Sequence, residues 1–353
     1  MRDTARSAFV VAVVIVGVVA GALALWKLKV LIALLFLAFI IAAAMRPGVE
    51  ALYRRRVPRG VGIILHYLGL AAIFGLLLWA AVPRAIDQVR AALPTSKAQV
   101  RQRAAETTGV KHEILKALEN RLEELPSASE LVDPALEATR LTFEILVGIF
   151  FTLASAAYWI FERDRAVALV TSLLPRNRRK VVQDTWQLID LKLGAYVRGQ
   201  GILILAVATV LSVTFAAIGL PFWILVGTFA GLVEIIPVIG PLAAGALAVG
   251  VGLTESWQLG LYAGLAVLAV RLIEDYVVIP RVLGDAVGLS PLLVILSVAG
   301  VGILFGGFAV LLAIPLAAVV ATLVQVIVLD LNPADEDVPT VLFPAKDVES
   351  SSR

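Results

Sequence analysis

Apolar runs about as long as a bilayer is thick recur along this chain, beginning with Phe9–Trp26 and Val61–Val82. In hydrocarbon no water satisfies backbone N–H and C=O groups, so such runs can cross only as helices that bond their own backbone. Charged residues are 16% of the chain, against roughly 25% in soluble domains. The mean hydropathy is +0.94. These values exclude soluble-enzyme, secreted and disordered classes and predict an all-α, polytopic helical membrane protein with about eight transmembrane helices. The chain has no cysteine, which excludes disulfides, thiol catalysis and cysteine-ligated metals.

Residues 1–82 hold the first three expected spans, Phe9–Trp26, Val30–Met45 and Val61–Val82. A signal peptide is the rival for the first run. A second apolar run follows at once, with no small-residue cleavage site before a polar mature region. Residues 83–140 carry nine Lys/Arg and nine Asp/Glu, with Leu115, Leu118, Leu122 and Leu125 at helical spacing. This stretch reads as a small helical extracytoplasmic insert. The fourth span is 141–161. Residues 162–200 hold eight Lys/Arg and four acids, alternating with Trp186, Leu188, Leu193 and Tyr196. They read as a cytoplasmic amphipathic segment lying on the membrane surface. Residues 330–353 form an acidic, mobile cytoplasmic tail.

Residues 201–329 contain the most interrupted apolar sequence. After a fifth span, Gly201–Leu220, the stretch 221–253 is split by Pro237 and Pro241. Each proline removes a backbone donor, so no continuous helix is expected. Broken backbone at membrane depth is tolerated where protein or a wet cavity covers it. The reading is a re-entrant hairpin, with two short spans as the alternative. A sixth span, Trp257–Ile279, leads into a turn-rich loop, Pro280–Pro291. Leu292–Phe305 and Phe308–Leu329 then form either two spans or a second hairpin.

Cations are uneven among the short loops: five at 46–60, eight at 162–200 and none at 221–256. The positive-inside rule places the first two in the cytoplasm, with cytoplasmic N- and C-termini.

No Gly-x-x-x-x-Gly-Lys-Ser/Thr phosphate loop is present. The two histidines, His66 and His112, share no ligand spacing, and no Ser-His-Asp set can be drawn. No catalytic pair, resident metal, cofactor or nucleic-acid partner is expected, and these negatives favour a transporter or channel over an enzyme. Sixteen of the 27 glycines fall within 201–307, beside the proline breaks. Small residues allow close helix approach in lipid, and broken helices near mid-membrane recur at transporter substrate sites. Pro237, Gly240, Pro241, Pro280, Gly284, Gly288 and Pro291 are the expected breaks and hinges. Four ionisable residues stand out in this half: Glu234, Arg271, Glu274 and Asp275. Arg271 is i, i+3 with Glu274 and i, i+4 with Asp275, so one helix face serves all three. An intramembrane charge is costly and reads first as a functional site. An interfacial Glu234 and a structural ion pair at Arg271 are the alternatives.

Residues 231–241, Gly-Leu-Val-Glu-Ile-Ile-Pro-Val-Ile-Gly-Pro, resemble the proline-broken motif of the autoinducer-2 exporter family. Residues 280–291, Pro-Arg-Val-Leu-Gly-Asp-Ala-Val-Gly-Leu-Ser-Pro, are similar to its second signature, and Gly194–Gln200 fits the segment before its fifth span. Ser290 stands where many members carry histidine. The resemblance implies a bacterial inner-membrane permease of about eight spans that forms homo-oligomers, pentamers among them. It also implies secondary transport, of autoinducer-2 in some members and of sodium or lithium against protons in others. The expectation is an exporter of a small solute, with a sodium(lithium)/proton antiporter as the alternative. A membrane scaffold acting through the insert is the alternative of another class. The expected partners are a small-molecule or cation substrate, the lipid bilayer and further copies of the chain.

Overall fold

The computed structural model describes residues 2–92, 132–236, 239–279, 288–336 and 338. The leucine stripe of the insert, His112, Pro237, Pro280, Gly284 and the tail beyond 338 lie outside the described residues. Among the described residues every regular element is helical.

Helices α1 (Arg2–Lys27) and α2 (Lys29–Arg54) are separated by Leu28 alone. Helix α3 is Arg59–Ala92, α4 is Val132–Ser172 and α5 is Arg176–Ala217. Helices α1, α2, α4 and α5 are long and apolar enough to cross a membrane. Shorter apolar helices follow: α6 (Trp223–Val233), α7 (Ile239–Leu253) and α8 (Trp257–Ile273). Then come α9 (Pro291–Phe305), one turn of α10 (Gly307–Val310) and α11 (Ala313–Ile327). The chain is a polytopic helical membrane protein.

Helix α5 is the central element, packing on α2, α4, α6, α8 and α11. The largest apolar core joins Leu211 and Phe215 of α5 to Val226 and Ala230 of α6, Ala244 and Ala248 of α7, and Ala263 of α8. Small residues dominate because the backbones approach closely. A Cβ on Gly231 would lie 2.6 Å from the Ile204 carbonyl oxygen, and one on Gly252 would lie 2.6 Å from Gly260 Cα. A second core joins Ala38, Ala42 and Val49 of α2 to Ile63 of α3 and Ala156 of α4. Helix α1 contributes no buried residue to either.

Three boundaries depart from the sequence reading. Helix α2 runs through Pro47 to Arg54, so only Arg55–Pro58 of the expected basic loop is non-helical. Pro47 gives no N–H to the Ala43 carbonyl, and Gly194 packs against that oxygen, where a Cβ would lie 2.5 Å away. Arg198 Nη1 donates to the neighbouring Ala44 carbonyl at 3.1 Å. Residues 162–200 are likewise continuous with the spans on either side. They form the ends of α4 and α5, reversing at Leu173–Pro175. Their charges pair between helices: Asp190 Oδ2 of α5 accepts from Arg163 Nε of α4 at 2.7 Å and from Arg46 Nη1 of α2 at 3.4 Å. The start of the tail is also held. Lys192 Nζ of α5 reaches Glu336 Oε1 at 2.6 Å and Thr322 Oγ1 of α11 at 3.2 Å, while Pro333 is buried and Val338 packs on Ala195.

The break within 221–253 falls where the prolines put it. Helices α6 and α7, of 11 and 15 residues, are each shorter than the about 20 needed to span, and they pack on one another. Gly240 opens α7 so close to α6 that a Cβ there would overlap the Val233 carbonyl. The last pair separates at Gly306, whose φ of +90° lies in the region that glycine alone enters without strain.

Candidate functional site

The end of α6 delivers Glu234 into the protein, with only 6% of its surface exposed. Its Oε1 lies 2.9 Å from Arg271 Nη1, which comes from the last turn of α8. That position suits a cation, since the carbonyl end of a helix carries partial negative charge. The same Nη1 lies 3.3 Å from Glu274 Oε2, and Nη2 lies 2.8 Å from Asp275 Oδ1. One guanidinium therefore faces three carboxylates. The four sequence-predicted ionisable residues form one cluster.

Glu274 and Asp275 sit in a single π-helical turn, Glu274–Val278, closed by Ile279 N–H donating to the Glu274 carbonyl. Such wide turns inside helices are frequent at functional sites. The wide turn follows α8 directly, so Arg271 meets both acids on one face. Glu274 is 3% exposed, and its Oε1 is buried without a hydrogen-bond partner. A buried acceptor left unpaired is expensive, and this one lies in a group already rich in negative charge.

Gln200 completes the arrangement. Its Nε2 donates to the Glu234 main-chain carbonyl at 3.0 Å, tying α5 to the break after α6. In the sequence Gln200 stands out only as the end of Gly194–Gln200, with no role of its own. No periodicity marks a glutamine as the partner of a carbonyl 34 residues away.

The hinge residues divide. Gly240 and Pro241 open α7, across the bend from Glu234. Pro291 opens α9, where the Ser290 side chain accepts from Leu293 N–H at 3.4 Å, and Gly288 has a φ of +61°. Ser290 thus caps a helix. The intervening Leu289 and Val294 pack with Val278 and Ile279 against Tyr196, Leu203 and Ile314, so the second motif abuts the end of the π-helical turn. Among the described residues no group of His, Asp and Glu side chains is arranged to hold a metal ion.

Broken helices that converge on an ionisable cluster, here with Glu234 and Glu274 buried, recur at the substrate sites of membrane transporters. The chain belongs to the AI-2E transporter family: the profile described as "AI-2E family transporter" matches residues 10–329. It is 28% identical over 344 residues to the Mycobacterium tuberculosis protein named "Putative transport protein MT0215", covering 93% of this chain and 91% of that one. Bacillus subtilis "Putative transport protein YueF" is 26% identical over 313 residues, covering 82% of this chain and 84% of its own length. Escherichia coli K12 "Putative permease PerM" is 28% identical over 190 residues, about half of each chain. The family is one of transporters and permeases, not an enzyme class.

Proposed function

We propose that the protein is a secondary transporter that exports a small solute, of the autoinducer-2 type or related to it, across the bacterial inner membrane. In this reading the cluster of Glu234, Arg271, Glu274 and Asp275 couples export to an ion gradient. The observation that carries it is one guanidinium shared by three carboxylates at the junction of α6, α8 and the π-helical turn. Ionised together, the carboxylates exceed the single cation, and an incoming proton or cation relieves that excess. Arg271 then exchanges among the acids as the load changes. Helices α6 and α7 act as a re-entrant hairpin, and Gly240, Pro241, Gly288 and Pro291, with Pro237, Pro280 and Gly284, let the hairpin and the start of α9 move. The Lys/Arg asymmetry supports cytoplasmic termini, and the family resemblance supports a homo-oligomer, a pentamer in the fullest form of the reading.

The unpartnered Glu274 Oε1 favours a second reading, sodium(lithium)/proton antiport, in which the cation itself is the cargo. Flux into proteoliposomes separates the two. Solute movement driven by an imposed pH or sodium gradient supports export, whereas sodium or lithium movement against protons without an organic solute supports antiport. Wild-type flux in a well-folded Glu234→Gln variant would eliminate the coupling assignment.

A further inference from the structure

Two side chains of α5 donate to main-chain carbonyls of other helices, and both carbonyls stand three residues before a proline. Arg198 Nη1 donates to the Ala44 carbonyl of α2 at 3.1 Å, ahead of Pro47. Gln200 Nε2 donates to the Glu234 carbonyl, at the end of α6, at 3.0 Å, ahead of Pro237. A proline removes one donor from a helix, and its ring crowds the carbonyl four residues earlier, so the ladder opens just before it. A side chain bonded at such an opening holds the interruption in one shape. Arg198 and Gln200 are about 200° apart around α5, so they reach opposite sides of it.

This part of α5 has little freedom of its own. Gly194 packs on the Ala43 carbonyl, where a Cβ would lie 2.5 Å away. Asp190 accepts from Arg163 of α4 and Arg46 of α2, and Lys192 donates to Thr322 of α11. Tyr196 packs with Leu289 and Val294 of the second motif. These contacts fall within the about 15 Å of helix between Asp190 and Gln200. A segment held on so many sides moves as one body and carries both donors with it.

We propose that Arg198 and Gln200 are positioning residues that link the Pro47 interruption of α2 to the break carrying Glu234, so that neither rearranges without the other. Such a linkage is reciprocal: loosening either carbonyl loosens the other by the same factor. Its use in transport rests on the proposed reading of the ionisable cluster. The linkage itself concerns two main-chain carbonyls and is read without flux.

Hydrogen exchange of the full-length protein in lipid nanodiscs, resolved to single amides by mass spectrometry, is the test, because it reports local opening. At the break, Ile236 N–H is bonded to the Val233 carbonyl at 3.0 Å and Gly240 N–H to the Ile236 carbonyl at 2.8 Å. Arg198→Met should speed exchange at Ile236 and Gly240 about fivefold or more, the lower end of coupling between sites. Gln200→Leu should in turn speed exchange at Gly48 and Val49, the first amides after Pro47. The double variant should exchange no faster at either place than the faster single variant, since one lost donor already frees both. Arg198→Lys, which keeps a charged donor, should restore most of the protection. Arg198→Gln, whose shorter side chain falls short of the carbonyl, serves if gel filtration shows that Arg198→Met does not assemble. Effects confined to the helix each donor touches, adding in the double variant, would overturn the linkage in favour of two independent bonds. Exchange raised equally in the middle of α7 and α8 would overturn it in favour of general loosening. Wild-type flux in Glu234→Gln alongside reciprocal exchange would remove the cluster reading and leave the linkage standing. Abolished flux with purely local exchange would do the reverse.

Discussion

Lys192, in the middle of α5 and almost fully enclosed, extends its ammonium to Glu336, 144 residues further along the chain and beyond the last long helix. The segment after α11 is thereby fastened to the central helix. Removing one partner of a buried ion pair costs about 3–5 kcal/mol, and the partial exposure of Glu336 brings the expected cost here to the lower end. Glu336→Ala should therefore lower thermal stability in detergent and open the chain after Asp330 to protease. Lys192→Met, which removes the charge but keeps the length, should cost less, because it leaves no ammonium unpaired. Equal protease resistance in Glu336→Ala and wild type would show that the pair does not hold the segment.

In the ionisable cluster, Glu234→Gln should abolish gradient-driven flux while leaving assembly intact. The amide keeps the shape but cannot cycle a proton. Arg271→Lys should be milder than Arg271→Ala, because the charge survives although one ammonium cannot bridge three carboxylates as the planar fork does. Flux in proteoliposomes, measured beside gel filtration of each variant, reads both effects.

Gln200→Leu removes the side-chain donor to the Glu234 carbonyl. Leaving a buried acceptor unpaired costs about 1–3 kcal/mol. The variant should melt earlier than wild type, whereas Gln200→Glu should recover part of the loss only at a pH where its carboxyl is protonated and the O–H can donate, since the ionised carboxylate offers no donor. Thermal unfolding followed by tryptophan fluorescence provides the comparison.

Glycines at close approaches and in open space should respond in opposite ways. At Gly231 a Cβ meets the Ile204 carbonyl oxygen, so Gly231→Val should push α6 from α5 and cost about 1–3 kcal/mol, the usual penalty for overpacking. Gly250, in α7, has nothing within 4 Å of a Cβ, so Gly250→Ala should be neutral or stabilise by up to about 1 kcal/mol through helix propensity. Melting temperatures of the two variants test the contrast.

Topology can be read by cysteine labelling on this cysteine-free chain. Arg55→Cys, in the turn after α2, should react with an impermeant reagent only after cells are opened. Glu255→Cys, in the turn between α7 and α8, should react in intact cells. The opposite pattern would invert the orientation drawn from the Lys/Arg asymmetry.

The sequence disclosed those parts of the molecule whose cause is local. Two prolines four residues apart forecast the bend between α6 and α7, and helical spacing forecast that Arg271 reaches Glu274 and Asp275. The fall of Glu234 against Arg271 depends on the packing of α6 and α8 around α5, which no local pattern records. The continuity of α4 and α5 through 162–200 was hidden for a related reason. Polar residues there suggested a separate surface helix, yet Arg163 finds Asp190 across the turn 27 residues away, and the pair lets two helices carry charge inward. That contact has its own consequence for stability: Arg163→Met should lose up to about 3 kcal/mol, because Asp190 then keeps only Arg46 at 3.4 Å, and adding Asp190→Asn should restore part of it. Residues 46–60 likewise read as a loop, because the accommodation of Pro47 at Ala43 comes from Gly194 on another helix.

The 42 residues of α5 make a rod about 63 Å long, roughly twice the thickness of the hydrocarbon layer. Gln200 grips the broken helix pair partway along it, and Arg176 lies some 36 Å away at one end. A tilt of about 5° around Gln200 carries Arg176 through about 3 Å at that helical rise, enough to swing the α4–α5 turn by nearly an atom's diameter. A small tilt at Gln200 is in this way a displacement of several ångströms at the other end of α5.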